Sequence, residues 1–183
     1  MRVITGTARG KRLETVPGTD LVRPTADRVK EGLFSAIQFD LEGRRVLDLF
    51  AGSGQLGIEA LSRGAASAVF VDRADDAIAV VKRNLEHTAL TENARVFKAD
   101  YASFCATCRD TFDIALLDPP YTAGYFESAI AAVAPLMSDY GMIWCEHPKE
   151  ITLPATVAGF CAVRSYRYGH VSAELYKKQG AHL

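Results

Sequence analysis

No stretch of the 183-residue chain approaches the roughly 20 consecutive apolar residues that a membrane-spanning helix needs. Met1-Arg2-Val3-Ile4 runs directly into polar residues, so no secretory signal is expected. Cysteine is scarce. The four thiols (Cys105, Cys108, Cys145, Cys161) form one Cys-x-x-Cys without a second, and His87, His147, His170 and His182 show no ligand spacing with it. A zinc framework and a disulfide scaffold are thereby set aside, and Cys105 and Cys108 read as reduced thiols of a cytosolic protein. Repeats, linkers and low-complexity segments are missing as well. What remains is ordinary for a globular chain, with 49% hydrophobic and 23% charged residues. A single domain over 1–183 is expected, monomeric, cytoplasmic and without metal, burying roughly 70% of its unfolded surface.

An excess of charge of one sign is also lacking, since the formal net charge is −1. That balance conceals an asymmetry. Residues 1–30 hold seven basic side chains against three acidic ones, a balance of +4, whereas the remaining 153 carry 14 basic and 19 acidic, a balance of −5. A basic arm on an acidic body is a footprint for phosphate contacts. A solvated charged face would give the same count. The candidate phosphate-contacting residues are Arg9, Lys11, Arg12, Arg23, Arg28 and Lys30.

The arm, residues 1–42, reads as a β-hairpin over 2–16 with a basic tip at Thr7-Ala8-Arg9-Gly10, then a helix after Pro24 with Val29, Leu33 and Ile37 as its apolar stripe and Phe34 beside it. From residue 43 strands alternate with helices. Apolar runs at 46–50, 68–71, 95–97, 113–117 and 142–145 read as strands, and 54–63, 74–85, 101–107 and 126–134 as helices. Near-continuous apolar strands separated by helices imply a parallel sheet covered on both faces. The last two strands, 162–167 and 172–177, are joined only by Tyr168-Gly169-His170-Val171 and must form an antiparallel hairpin.

Asp118-Pro119-Pro120-Tyr121 follows the buried run Ile114-Ala115-Leu116-Leu117. Proline fixes φ near −65° and gives up its N–H, so this turn is stiff. The Asp118 carboxylate and the Pro119 carbonyl are placed to accept the two N–H bonds of an exocyclic amine, with Tyr121 stacking on the attached ring. Pro-Pro alone would be a turn. With an acid before it, an aromatic after it and a buried strand upstream, it suits methyl transfer to the amino group of a base.

Gly52-Ser53-Gly54-Gln55-Leu56-Gly57 follows a strand and opens a helix, and Asp72 ends the next strand twenty residues on. Read alone, this is a dinucleotide fingerprint with its ribose-binding acid. Asp48 argues otherwise. It lies inside the first strand, where it suits a cationic amino-acid tail and gives nothing to a pyrophosphate. In Lys98-Ala99-Asp100-Tyr101, Asp100 is positioned for an adenine amine, or serves as a helix N-cap. An acid beyond each of three successive strands favours a cationic sulfonium cofactor, S-adenosylmethionine.

With these residues in view, the chain resembles, nearly end to end, the RsmD-type bacterial methyltransferases that modify guanine N2 in 16S ribosomal RNA. The resemblance is carried by Arg2-Val3-Ile4-Thr5-Gly6, by Arg23-Pro24-Thr25-Ala26-Asp27-Arg28-Val29-Lys30-Glu31-Gly32-Leu33-Phe34, by residues 48–65, and by Asp118 to Tyr121, where Tyr121 stands in place of the phenylalanine of many relatives. It implies a class I, Rossmann-like α/β fold with a mostly parallel seven-stranded sheet ending in an antiparallel hairpin. It also implies a 16S rRNA substrate within a small-subunit particle. By analogy Asp48, Phe50, Ala51, Gly52, Ser53 and Gly54 hold the methionine moiety, Asp72 and Arg73 the ribose side, and Asp100 and Tyr101 the adenine. Asp118, Pro119, Pro120 and Tyr121 would carry the target base. Adenine-N6 methylation of DNA or RNA is the competing activity, because Asp-Pro-Pro-Tyr does not distinguish the two amines. A binding protein on a vestigial fold would show damage in the clamp or the glycine loop, and neither is damaged.

Overall fold

Strands of aliphatic residues on both faces must be covered on both sides, and the described residues do this with five α-helices. The computed structural model describes residues 1–18, 24–121 and 124–180, with the backbone alone for 24–27. Its elements run α1 (Pro24–Ala36), β1 (Arg45–Asp48), α2 (Gln55–Ser62), β2 (Ser67–Asp72), α3 (Asp75–Thr88), β3 (Ala94–Lys98), α4 (Tyr101–Thr107), β4 (Phe112–Leu117), α5 (Phe126–Val133), β5 (Met137–Pro148), β6 (Thr156–Val157), β7 (Phe160–Tyr168) and β8 (Val171–Lys178). They form one sheet in the order β3-β2-β1-β4-β5-β8-β7-β6, with β1 to β5 parallel and the last three antiparallel. Side-chain alternation splits the core into two layers. Val46, Phe70, Leu116 and Trp144 pack with α1, α2 and α3, while Leu47, Val71, Leu117 and Cys145 pack with α4 and α5.

The sheet has eight strands where the sequence led us to expect seven. The addition is β6, whose two residues pair with Phe160 and Cys161 across a turn with positive φ at Ala158 and Gly159. Two residues are too few to show a pattern. At the other end of the chain the expected hairpin is reduced to a single bridge, Arg2 with Arg12. Its backbone bonds across itself, from Val3 N–H to the Lys11 carbonyl at 3.0 Å and Leu13 N–H to the Met1 carbonyl at 3.1 Å, and also to α2: the Thr7 N–H donates to the Ser62 carbonyl at 2.8 Å and the Ala8 N–H to Ser62 Oγ at 2.9 Å. Gly6 makes that approach possible, because a Cβ on it would lie 1.6 Å from the Ser62 carbonyl oxygen.

Glu59 holds this arm in place. Its fully buried carboxylate accepts the Ile4 and Thr5 N–H groups at 2.7 and 3.0 Å and pairs with Arg63 at 2.8 Å and Lys30 at 3.8 Å. The strand order reverses between β1 and β4. A doubly wound sheet opens a crevice at such a point, beyond the carboxyl ends of the strands.

Candidate active site

Everything that follows β1 is shaped by Asp48. Its carboxylate, 1% exposed, accepts the Gly57 N–H at 2.9 Å, inside the first turn of α2. A dinucleotide's pyrophosphate would need those first-turn N–H groups for itself. The acid that fills the helix terminus therefore removes the dinucleotide reading by geometry. Gly57 permits the packing, since a Cβ there would lie 2.3 Å from the Phe70 ring. The loop from β1 is fastened to its neighbours by Leu49 N–H to the Leu116 carbonyl at 3.1 Å and Ala51 N–H to the Val71 carbonyl at 2.9 Å. Asn84, buried on α3, donates to the Ser53 carbonyl at 2.9 Å and ties the same loop to Glu14 of the arm.

A cavity of about 380 Å³ opens above these strand ends. Of the residues singled out from sequence, Asp48, Phe50, Ala51, Gly52, Ser53, Asp72, Arg73, Asp100, Tyr101, Asp118 and Pro120 line it. Gly54, Pro119 and Tyr121 do not. Gly54 turns the chain into α2 at φ 77°, against Val81. Asp72 accepts the Gly52 N–H through Oδ2 and the Ala74 N–H through Oδ1, both at 2.9 Å, which fixes its carboxylate at the cavity wall. Asp100 serves as the N-cap of α4, its Oδ1 accepting from Ala102 and Ser103 at 3.1 and 3.0 Å. The capping Ser103 bonds hold its pKa below the usual carboxylate value.

Burial pushes the Asp48 carboxyl up to about 7, against the Gly57 N–H and with the charges of Asp118 and Asp72 adding to the rise. Asp118 keeps some exposed surface as a residue, but burial of its carboxyl raises it to about 6. Pro119 is buried, Pro120 exposed, and Tyr121 half-buried against both core layers.

Sequence reasoning missed Tyr125 and Gln55. Tyr125 stands over Tyr101 with ring centres 5.3 Å apart, and Tyr101 over Phe50 at 5.4 Å, making an aromatic row along the cavity. It lies past Gly124, where φ of 64° turns the chain back, and no pattern marks it. Gln55 opens α2 and lines the cavity with a buried Oε1 that has no partner among the described residues.

The basic residues divide. Arg9, Arg12 and Arg28 are exposed, while the Lys11 ammonium donates to the His87 carbonyl at 2.8 Å. Arg23 lies outside the described residues. Lys30 is a correction: it is 1% exposed and donates to the Arg2 carbonyl at 2.7 Å beside Glu59, so it does not meet a phosphate. Its charge neutralises Glu59. Cys105 and Cys108 are free thiols, and burial pushes Cys105 up to about 12. Among the described residues no group of three potential metal ligands assembles, and no helix is long and apolar enough to cross a membrane.

Comparison with known proteins agrees with this geometry. A family profile described as "Conserved hypothetical protein 95" matches residues 1–177. The chain is 44% identical over 189 residues to YlbH of Bacillus subtilis, covering 98% of this chain and all of that one (100%). It is 35% identical over 181 residues to Ribosomal RNA small subunit methyltransferase D of Escherichia coli strain K12, covering 98% and 90%. Among solved structures, that of the Escherichia coli protein yhhF superposes with a TM-score of 0.86 at 34% identity, covering 98% of each chain. A match along nearly its whole length, over a sheet whose crevice is built as its sequence required, places the chain in the RsmD-type methyltransferase family.

Proposed function

We propose that the protein transfers a methyl group from S-adenosylmethionine to the exocyclic N2 amine of a guanine in 16S ribosomal RNA. It would act as a cytoplasmic monomer on a small-subunit particle, without a metal. One observation carries the reading: Asp118, the acid of the stiff clamp, lines the same cavity as Asp48, Asp72 and Asp100, at the reversal point of the strand order. The site fits the cofactor. Two acids held above their ordinary range favour a ligand bearing positive charge, and the aromatic row and the unpartnered Gln55 suit an adenosine. Asp48 would hold the amino-acid tail, Asp72 the ribose hydroxyls, and Asp100 with Tyr101 and Phe50 the adenine. When bound, S-adenosylmethionine supplies an electrophilic methyl on a sulfonium.

The chain's own part is to make a poor nucleophile competent. A guanine amine has its lone pair delocalised into the ring. Asp118 accepts one of its N–H bonds and the Pro119 carbonyl the other, which draws the hydrogens out of plane and returns lone-pair character to nitrogen. Positive charge then grows on that nitrogen, and the adjacent Asp118 carboxylate stabilises it. Orientation within a stiff turn provides much of the remaining acceleration. Tyr121 stacks on the base once it has left its own stack. Arg9, Arg12 and Arg28 meet phosphates, which positions the RNA without reading its sequence.

The test is transfer of labelled methyl from S-adenosylmethionine to small-subunit particles from cells lacking this gene, followed by nucleoside analysis. Label in N2-methylguanosine of 16S RNA is expected. Label in N6-methyladenosine, or none, overturns the proposal.

A further inference from the structure

Strands β4 and β5 run in parallel register with Leu117 opposite Cys145, so the next residues, Asp118 and Glu146, stand side by side as β4 ends. Leu116 and Trp144 fall in one core layer and Leu117 and Cys145 in the other, and strand alternation therefore sends Asp118 and Glu146 to the Trp144 face. On its other side Glu146 pairs with Ala173 of β8, a residue too small to reach its carboxyl. Glu146 is only 7% exposed, and among the described residues its carboxyl is met by no cation, only by the Trp144 side chain. That indole is fully buried, and its Nε1 makes no well-formed bond among the described residues. Tyr166, whose ring lies 5.1 Å from that of Trp144, has a buried hydroxyl in the same condition. Native folds rarely leave one buried polar group unsatisfied, and this one leaves two, the indole and the phenol, together beside the clamp.

Resting on the proposed function, we infer that Glu146 determines specificity, its carboxyl pairing with the N1–H and O6 edge of guanine while Asp118 holds the adjoining amine. Burial, reinforced by the charge of Asp118, pushes the carboxyl well above its ordinary range, which favours its uncharged form. An uncharged carboxyl presents one O–H donor and one carbonyl acceptor in a single plane. Beside its 2-amino group guanine offers N1–H and then O6, which a neutral carboxyl meets with two bonds. Beside its amino group adenine offers N1 and then C2–H, which leaves the carboxyl's acceptor facing carbon. The preference for guanine then comes from a residue that takes no part in moving the methyl group.

The experiment uses the mapped target in an RNA carrying either guanine or 2-aminopurine, a base that keeps the reacting amine and lacks both N1–H and O6. Wild type should prefer guanine in kcat/KM by roughly 10- to 100-fold, the scale of one bidentate base contact. Glu146→Gln presents a carbonyl and an N–H at the same positions and should keep that preference. Glu146→Leu should erase it by lowering the rate on guanine alone, with S-adenosylhomocysteine affinity within a few-fold of wild type. Both variants should melt no lower than wild type, because each removes a buried carboxyl that lies against the like charges of Asp118 and Asp48. Full preference in Glu146→Leu, or loss in Glu146→Gln equal to that in Glu146→Leu, overturns the assignment, as does a lower melting temperature in both. A wild-type protein that leaves the guanine amine unmodified sinks the functional reading itself, and the Glu146 assignment with it.

Discussion

Replacing Asp48 by asparagine should make the protein more stable and less able to bind its cofactor, and pH separates the two effects. In the folded protein Asp48 titrates near 7 against a value of 3.8 when free, a difference of about three units. The native state therefore holds this proton more tightly than the unfolded chain. The associated stability is fully present below pH 3.8 and lost as pH rises through 7. At pH 8 the loss amounts to about 4 kcal/mol, or roughly 10 °C in melting temperature for a chain of this length. The residue is 1% exposed, so solvent does not screen this effect away. Asparagine keeps an oxygen for the Gly57 N–H and carries no charge. Asp48→Asn should thus melt well above wild type at pH 8 and close to it at pH 4. Cofactor binding moves the other way, because the amino-acid ammonium pairs with the ionised carboxylate. Wild-type affinity for S-adenosylhomocysteine should fall about tenfold for each unit below pH 7, and the variant should bind weakly at every pH. Calorimetry between pH 5.5 and 8 measures this. A variant that melts below wild type at pH 8, or a wild-type affinity flat across that range, refutes the role given to Asp48.

Glu59→Gln should cost about 3–5 kcal/mol, since it breaks the buried ion pairs of Glu59 with Lys30 and Arg63, and the arm should become sensitive to protease before the sheet does. An unchanged melting temperature would place the anchor elsewhere. Charge reversal at Arg9, Lys11 and Arg12 together should weaken RNA binding, flatten its salt dependence and leave cofactor binding intact. If the salt slope does not move, the arm is only a solvated face. The Asp118 carboxylate must be ionised to accept the amine, so kcat should rise with pH through about 6 and be abolished at every pH in Asp118→Ala. A kcat level between pH 5 and 7.5 would deny Asp118 that part.

The strands were legible where burial on both faces made an unbroken apolar run, as in Val46-Leu47 and Ile114 to Leu117. They were illegible where pairing alone defines them. β5 continues through Glu146-His147-Pro148 because β8 bonds to it there, and no hydrophobic pattern reports a partner lying more than twenty residues further along the chain. The cofactor acids were legible because each follows a strand at a fixed offset. Lys30 was misassigned for a definite reason. It follows Val29 of the apolar stripe, and Glu59 on another helix and the Arg2 carbonyl, both distant in sequence, turn its ammonium inward. Sequence counts a lysine as a surface charge until its partner is known.

The two ends of β4 show why the upper edge of the sheet is the working one. At its start Asp113 is partly buried, which by itself would raise its carboxyl. The Arg45 N–H at 2.9 Å, the Arg45 guanidinium at 3.3 Å and the Ser138 hydroxyl override that, and the carboxyl lies below its ordinary value. At its end Asp118 has no such cation, and burial raises it to about 6. Its neighbours on the same face, Asp48 on β1 and Glu146 on β5, are raised as well by burial, Asp48 pushed further by the charges of Asp118 and Asp72 and Glu146 by those of Asp118 and Asp48. The fold thus neutralises an acid where it needs only a sheet and, among the described residues, leaves three without a cation along one edge. Three buried acids without counter-charges destabilise the ligand-free protein, and each is relieved by a different part of the proposed substrates: an ammonium at Asp48, an amine becoming cationic at Asp118, a lactam edge at Glu146. Binding both substrates should therefore stabilise the protein by more than either does alone.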